Sequence, residues 1–175
     1  MNVAEAIINR RSIRSFAKTK VEPEKLNAIL EAARLSPSAR NEQQWLFIVV
    51  RQPDALKKLA FACDNQQHIA EADTAICCCI PDADQLSDEN KPLRQQDIAV
   101  ANAFMMLQAT ELGLGTCWIG AFNERKIKTL LRIPDTVAIH SLLAIGYPHY
   151  TPPQTDRKPQ AEIFRSEEYP RTFGE

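Results

Sequence analysis

Three guanidinium groups and two hydroxyls fall within six residues at Arg10, Arg11, Ser12, Ile13, Arg14 and Ser15. A guanidinium presents a fixed fork of donors that matches two phosphate oxygens at once, and a serine adds a short neutral donor, so the segment suits a phosphate. The same residues also suit a solvated basic turn. A second candidate lies in the polar stretch Ser36 to Gln44, where Ser38, Asn41 and Gln43 precede Trp45. Amide side chains offer a donor and an acceptor together, as reading the edge of a flat heterocycle requires. With Pro37 as a breaker and Trp45 as a core residue, an ordinary helix-to-strand loop explains them equally. A third candidate sets Gly113, Gly115 and Gly120 around Trp118. Gly120 would let its backbone N–H approach a planar ring closely. The run follows a helix pattern, not a strand, so it is not a dinucleotide-binding fingerprint. The fourth is the late pair Arg157 and Lys158, which would join Arg10 and Arg14 around one phosphate if the chain end folds back.

The other reactive side chains offer less. Cys77, Cys78 and Cys79 are consecutive in an apolar run, where neighbours point to opposite faces and cannot close on one metal ion, so they read as buried small hydrophobes. His68, His140 and His149 are scattered, with His140 inside a strand pattern, and no serine triad or carboxylate pair has a persuasive spacing. Met105 and Met106 read as core. No catalytic side chain and no metal site is expected.

These residues need a scaffold. Val3, Ala6 and Ile7 predict a short helix that runs into the basic turn. Pro23 opens a second helix through Leu26, Ile29, Leu30 and Ala33, which stops near Ser36. Trp45 to Val50 and Ala75 to Ile80 are apolar runs of strand length and read as buried strands. A helix over Asp54 to Cys63 joins them in an order resembling an α/β crossover. Asp82 to Pro92 reads as a surface loop, residues 96 to 112 as a helix apolar nearly all round, Glu124 to Leu131 as a further helix and Val137 to Ile145 as a third strand. From Tyr147 the chain carries Pro148, Pro152, Pro153, Pro159 and Pro170 with few apolar anchors, an extended tail expected to lie on a partner surface. The order predicts one α+β domain over residues 1–175, with a small mixed sheet between helical layers.

With 21 Lys and Arg against 22 Asp and Glu, the net charge of -1 draws the chain toward neither nucleic acid nor an anionic membrane. Five cysteines without a framework layout, and the lack of any long apolar stretch, lead to the expectation of a cytoplasmic protein.

Taken together and in order, the RRSIRSF start, the PSARNEQQW loop, the LGLGTCWIGAF run and the late RKP resemble the FMN-dependent nitroreductase family. The resemblance implies a three-layer α-β-α fold with a mainly antiparallel sheet and an extended C-terminal arm. It also implies a homodimer with FMN at the subunit interface, NADH or NADPH as donor, and a nitroaromatic, quinone or flavin acceptor reduced by ping-pong kinetics. By the same resemblance, Arg10, Arg11, Ser12 and Arg14 contact the phosphate, the ribityl chain and the pyrimidine end of the ring. Pro37, Ser38 and Asn41 reach the flavin from the partner subunit, Ile119 and Gly120 lie beside the flavin N5 atom, and Arg157 and Lys158 touch the phosphate. Gln66 stands near the amide residue that some members place before the second strand. The sequence departs at Gln44, where members usually carry proline, and at the Asp82 to Pro92 stretch, where others have a longer insertion. A dehalogenase or ene-type reductase on the same fold, and a non-catalytic flavin-binding or redox-sensing protein, are the alternatives.

Overall fold

The run from Thr74 to Ile80 is buried along its whole length because neighbours flank it on both sides and helices cover both faces. The computed structural model, which describes residues 1–168, makes it β2 (Thr74–Ile80) in a sheet of order β1-β2-β4-β3, with β1 at Leu46–Val50, β3 at Gly115–Ile119 and β4 at Ala138–Gly146. Side chains alternate across β2. Cys77 and Cys79 enter the cluster built with α3 (Pro53–Ala62), α4 (Gln67–Glu71) and α6 (Glu124–Leu131). Ile76, Cys78 and Ile80 enter the cluster built with α2 (Pro23–Arg34) and α5 (Asn90–Glu111). The result is the expected three-layer α-β-α arrangement.

Local signals account for the element ends. Asn2 and Glu5 form a reciprocal capping box on α1 (Val3–Asn9), and Pro23 and Pro53 open α2 and α3, where no donor is lost. Asn123 caps α6 by accepting from the Lys126 N–H. Under the sheet, α5 places Asn102, fully buried, between two strands. Its amide donates to the Ser141 hydroxyl at 2.8 Å and its carbonyl oxygen accepts from the Cys78 thiol at 3.2 Å. Burial pushes the Cys63 and Cys78 thiols up to about 12, so both are neutral.

Several expectations are corrected. The order of β1, a helix and β2 is not a parallel crossover: Ile48 faces Cys77 in an antiparallel pair, because α3 and α4 together return the chain beside β1. All strand pairs in the sheet are antiparallel, and the parallel element is a single bridge between Ser12 and Thr116. β1 is not buried throughout; as an edge strand it leaves Leu46 and Val49 exposed. The run from Gly115 to Ile119 is a fourth strand. Helix α5 starts at Asn90, so Pro92 sits in its first turn and the preceding loop is shorter than expected. The tail is extended and largely exposed, with one short helix, α7 (Gln160–Ile163), and Pro170 lies outside the described residues.

Between α1 and α2 the chain runs as a strap across the sheet. The Ile13 N–H donates to the Thr116 carbonyl at 2.8 Å, the Ala17 N–H to the Tyr147 carbonyl at 2.8 Å, and the His149 N–H to the Ser15 carbonyl at 2.9 Å. Ile13 packs directly on Gly115, where a Cβ would lie 2.5 Å from Ile13 Cγ1 and 2.9 Å from Ile13 Cβ. Gly115→Ala therefore forces the strap outward and should cost about 1–3 kcal/mol of stability by overpacking, read as a lower melting temperature.

His140 on β4 packs edge-on to Trp118, with ring centroids 5.9 Å apart, and its buried Nε2 has no partner among the described residues. Burial holds this imidazole below its ordinary value of 6.5, and His68 shifts the same way. The unfolded chain binds the proton more readily than the folded one, so stability is present in full above the unfolded value and is lost as pH falls. The melting temperature should therefore drop on acidification through about pH 6, and His140→Phe should make that slope shallower.

Candidate functional site

Arg10 ends α1 with an extended backbone, and from there the strap carries Arg11, Ser12 and Arg14 along the outer edge of β3. The bridge at Thr116 and the seat of Ile13 on Gly115 fix the register, so the residues on either side of Ile13 point away from the core. Arg14 is exposed, while Arg10, Arg11 and Ser12 are half-buried. Arg11 is already employed: its Nη1 donates to the carbonyls of Ile8 at 2.6 Å and Arg10 at 2.9 Å, satisfying the free end of α1. Arg10, Ser12 and Arg14 keep the donors that a phosphate or heterocycle would need.

The strand beside the strap ends in the third candidate. Ile119 is buried and anchors the end of β3, while Gly120 is exposed, and a Cβ placed on it would meet nothing within 4 Å. Here the glycine is not demanded by the protein's own packing. The space beside its backbone suits a flat ring lying against the N–H. Gln66, at the start of α4, donates from Nε2 to the Ala121 carbonyl at 3.2 Å and so stands next to Gly120. The positive charge of Arg14 reaches the same face. After burial it is the next cause lowering the His68 pKa, and it partly offsets the burial that raises Cys117. His68 is buried and its Nε2 lacks a partner among the described residues. The edge thus collects cationic donors, an open backbone N–H, an amide and a neutral imidazole.

The loop with Pro37, Ser38 and Asn41 is held elsewhere. It contains a single 3-10 turn, Ala39–Asn41, and three residues with left-handed backbone, Arg40, Asn41 and Gln43. The Ser38 hydroxyl accepts from the Gln43 N–H at 3.1 Å, and the Gln43 amide donates to Asn41 Oδ1 at 3.3 Å. No hydrogen bond among the described residues joins this loop to the strap or to Gly120. Its anchor is the first turns of α5, where Asp97 Oδ1 accepts from the Ala39 N–H at 2.8 Å and Arg94 pairs with both Asp97 and Glu42. Sequence reasoning missed Arg94 and Asp97. Their one signal was charge on the inward face of an apolar helix.

Arg157 and Lys158 are exposed, and Arg157 donates within its own turn to the Thr155 carbonyl and hydroxyl and the Asp156 carbonyl. No hydrogen bond brings them to Arg10 or Arg14 among the described residues. A cleft of about 720 Å³ lies along the later part of the strap, lined in part by Lys18, Lys20, Arg51, Glu71, Asp73 and His149. Its charges are largely spent on one another, since Asp73 pairs with Arg51 at 2.7 Å and with Lys20 at 3.4 Å. Size alone does not make it the site.

The sequence model of the Nitroreductase family matches residues 7–90 and 65–147. A protein of Archaeoglobus fulgidus, provisionally assigned as an NADH dehydrogenase/NAD(P)H nitroreductase, is 38% identical over 146 residues, covering 81% of this chain and 83% of its own. Among solved structures, a nitroreductase family protein from Clostridium novyi NT is 33% identical, with a TM-score of 0.79 over 85% of this chain and 86% of that one. An FMN-dependent nitroreductase from Clostridium difficile R20291 is 26% identical, with a TM-score of 0.78 over 97% of this chain and 99% of that one. On these matches and the three-layer fold they share, the chain belongs to the nitroreductase family.

Proposed function

We propose that the chain is an FMN-dependent oxidoreductase that accepts hydride from NADH or NADPH and reduces small nitroaromatic, quinone or flavin-type acceptors in a ping-pong cycle. The observation that carries this reading is the outer edge of β3, where the strap bearing Arg10, Ser12 and Arg14 is bridged to Thr116 and the strand ends at Gly120, with open space beside its backbone and Gln66 hydrogen-bonded to the next carbonyl. The names of the Archaeoglobus fulgidus and Clostridium difficile relatives support it. FMN would supply a ring that accepts a hydride from one substrate and returns it to another.

The residues divide the remaining work. Arg10 and Ser12 hold the phosphate and ribityl chain by charge-assisted and neutral hydrogen bonds. Arg14 would place a fixed positive charge near the pyrimidine end of the ring, and the Gly120 N–H would offer a donor to the ring edge. His68 stays neutral because burial and Arg14 disfavour its proton, so it adds no competing charge. No side-chain acid or base is needed. The buried, neutral thiols of Cys63 and Cys78 are not nucleophiles.

Two chains complete two sites in this reading. Val3, Ile7 and Ile8 of α1, Phe104 of α5, and Ile163 and Phe164 of the arm are large apolar side chains exposed on the single chain, and a second copy would cover them. The same pairing brings Pro37, Ser38 and Asn41 to the partner's flavin and lets the exposed arm carry Arg157 and Lys158 to a phosphate. Five buried, unpaired cysteines fit a reducing compartment, the cytoplasm. No helix among the described residues is long and apolar enough to cross a membrane.

Purified protein mixed with FMN should show bound-flavin absorption that bleaches on anaerobic addition of NADH or NADPH; a chain that stays colourless overturns the reading. A sharper check is Gly120→Ala. Because a Cβ there meets nothing in the protein, the melting temperature of the flavin-free chain should stay within a few degrees of wild type while FMN binding weakens at least tenfold.

A further inference from the structure

The first turns of α5 hold a buried polar network that is poorly suited to stabilising the protein. The Arg94 side chain is 4% exposed and that of Asp97 8%, one turn apart on the helix. Arg94 Nη1 lies 3.3 Å from Asp97 Oδ2, Nη2 pairs with Glu42, and Nε has no acceptor among the described residues. Burying an ion pair costs desolvation that its attraction barely offsets, and a buried N–H without an acceptor adds to the cost. What the network does is hold a loop. Asp97 Oδ1 takes the Ala39 N–H at 2.8 Å at one end of the 3-10 turn, and Glu42 gives its carboxylate to Arg94 at the other. Between these points Arg40 and Asn41 have φ of 54° and 55°, and Gln43 follows at 52°. Left-handed backbone in arginine and glutamine persists where surrounding contacts over-determine it.

We propose that Arg94 and Asp97 are positioning residues that set flavin affinity by clamping the strained 38–43 loop, so that the shape of one subunit's loop is fixed from its own α5 before it meets the partner's cofactor. This rests on the function proposed above, in which Ser38 and Asn41 touch the flavin. The clamp fixes two points of the loop: the backbone N–H of Ala39, held by Asp97, and the Glu42 carboxylate, held by Arg94 just before Gln43, whose own N–H donates to the Ser38 hydroxyl. Neither Arg94 nor Asp97 needs to reach the ring.

A merely structural role and a positioning role predict different outcomes when both charges are exchanged for apolar groups of similar volume. In Arg94→Met/Asp97→Leu the two most buried charges disappear together, leaving only the part-exposed Glu42 and the Ala39 N–H to water, so the melting temperature of the flavin-free protein should stay within a few degrees of wild type. The dissociation constant for FMN, titrated by quenching of flavin fluorescence, should rise at least tenfold, while the NADPH-driven rate at saturating FMN stays within about threefold. Glu42→Ala releases the loop from its own side without touching the helix and should weaken FMN binding in the same sense, whereas Glu42→Gln, which keeps an acceptor for Arg94, should recover most of the affinity. FMN binding within twofold of wild type in both the double variant and Glu42→Ala overturns the clamp. If the double variant does not fold, the contrast between Glu42→Ala and Glu42→Gln decides. Wild-type protein that takes up no FMN defeats the functional reading instead, which separates the two failures.

Discussion

Ile13 occupies space that any side chain on residue 115 would need, and much of the candidate site follows from that contact. The isoleucine holds the strap against β3, the Ser12–Thr116 bridge sets its register, and the flanking residues must then face outward. A basic turn with no such seat would sample many conformations, and its guanidinium groups would pay for ordering when an anion arrived. Here that entropy is settled during folding. The outer edge of the sheet becomes a platform on which charge, backbone N–H and amide are presented together.

The second half of the candidate site is built on a different principle. The strap is pinned by apolar packing and main-chain hydrogen bonds, whereas the loop from Ser38 to Gln43 is held by buried charge at the start of α5. That helix serves two purposes along its 22 residues. Its later turns supply Ile98, Ala101, Met105 and Ala109 to the core, and its first turns supply polar anchors. Anything that shifts α5 along its axis would therefore disturb the core and the loop together.

How much of this was legible follows from the range of each interaction. Helices α1, α2, α3 and α6 announce themselves through periodicity, prolines and caps, all of which act over a few residues. The direction of β2 against β1 does not show in the sequence, because a solidly apolar run reports burial and not orientation, and the extra turn of α4 is too short to show a period. β3 was hidden by the glycines around it. The clamp was invisible for another reason: Arg94 and Glu42 stand 52 residues apart, and each looks like an ordinary surface charge until the fold brings them together. The strap residues and Gly120 stand out in the sequence as candidates by type and spacing, yet the duty of Arg11 at the end of α1 depends on a geometry the sequence does not display.

The cysteines have a bearing on durability. All five thiols are buried, three of them side by side in the central strand, and Cys63 and Cys78 are held firmly in the protonated form. Oxidants attack exposed thiolates first, so a chain with this layout offers them little purchase, and sulfenic acid or mixed disulfides would require the sheet to open. Oxidative ageing of the folded protein should begin at a surface sulfur such as the half-exposed Met1 and leave the thiols of the core until unfolding.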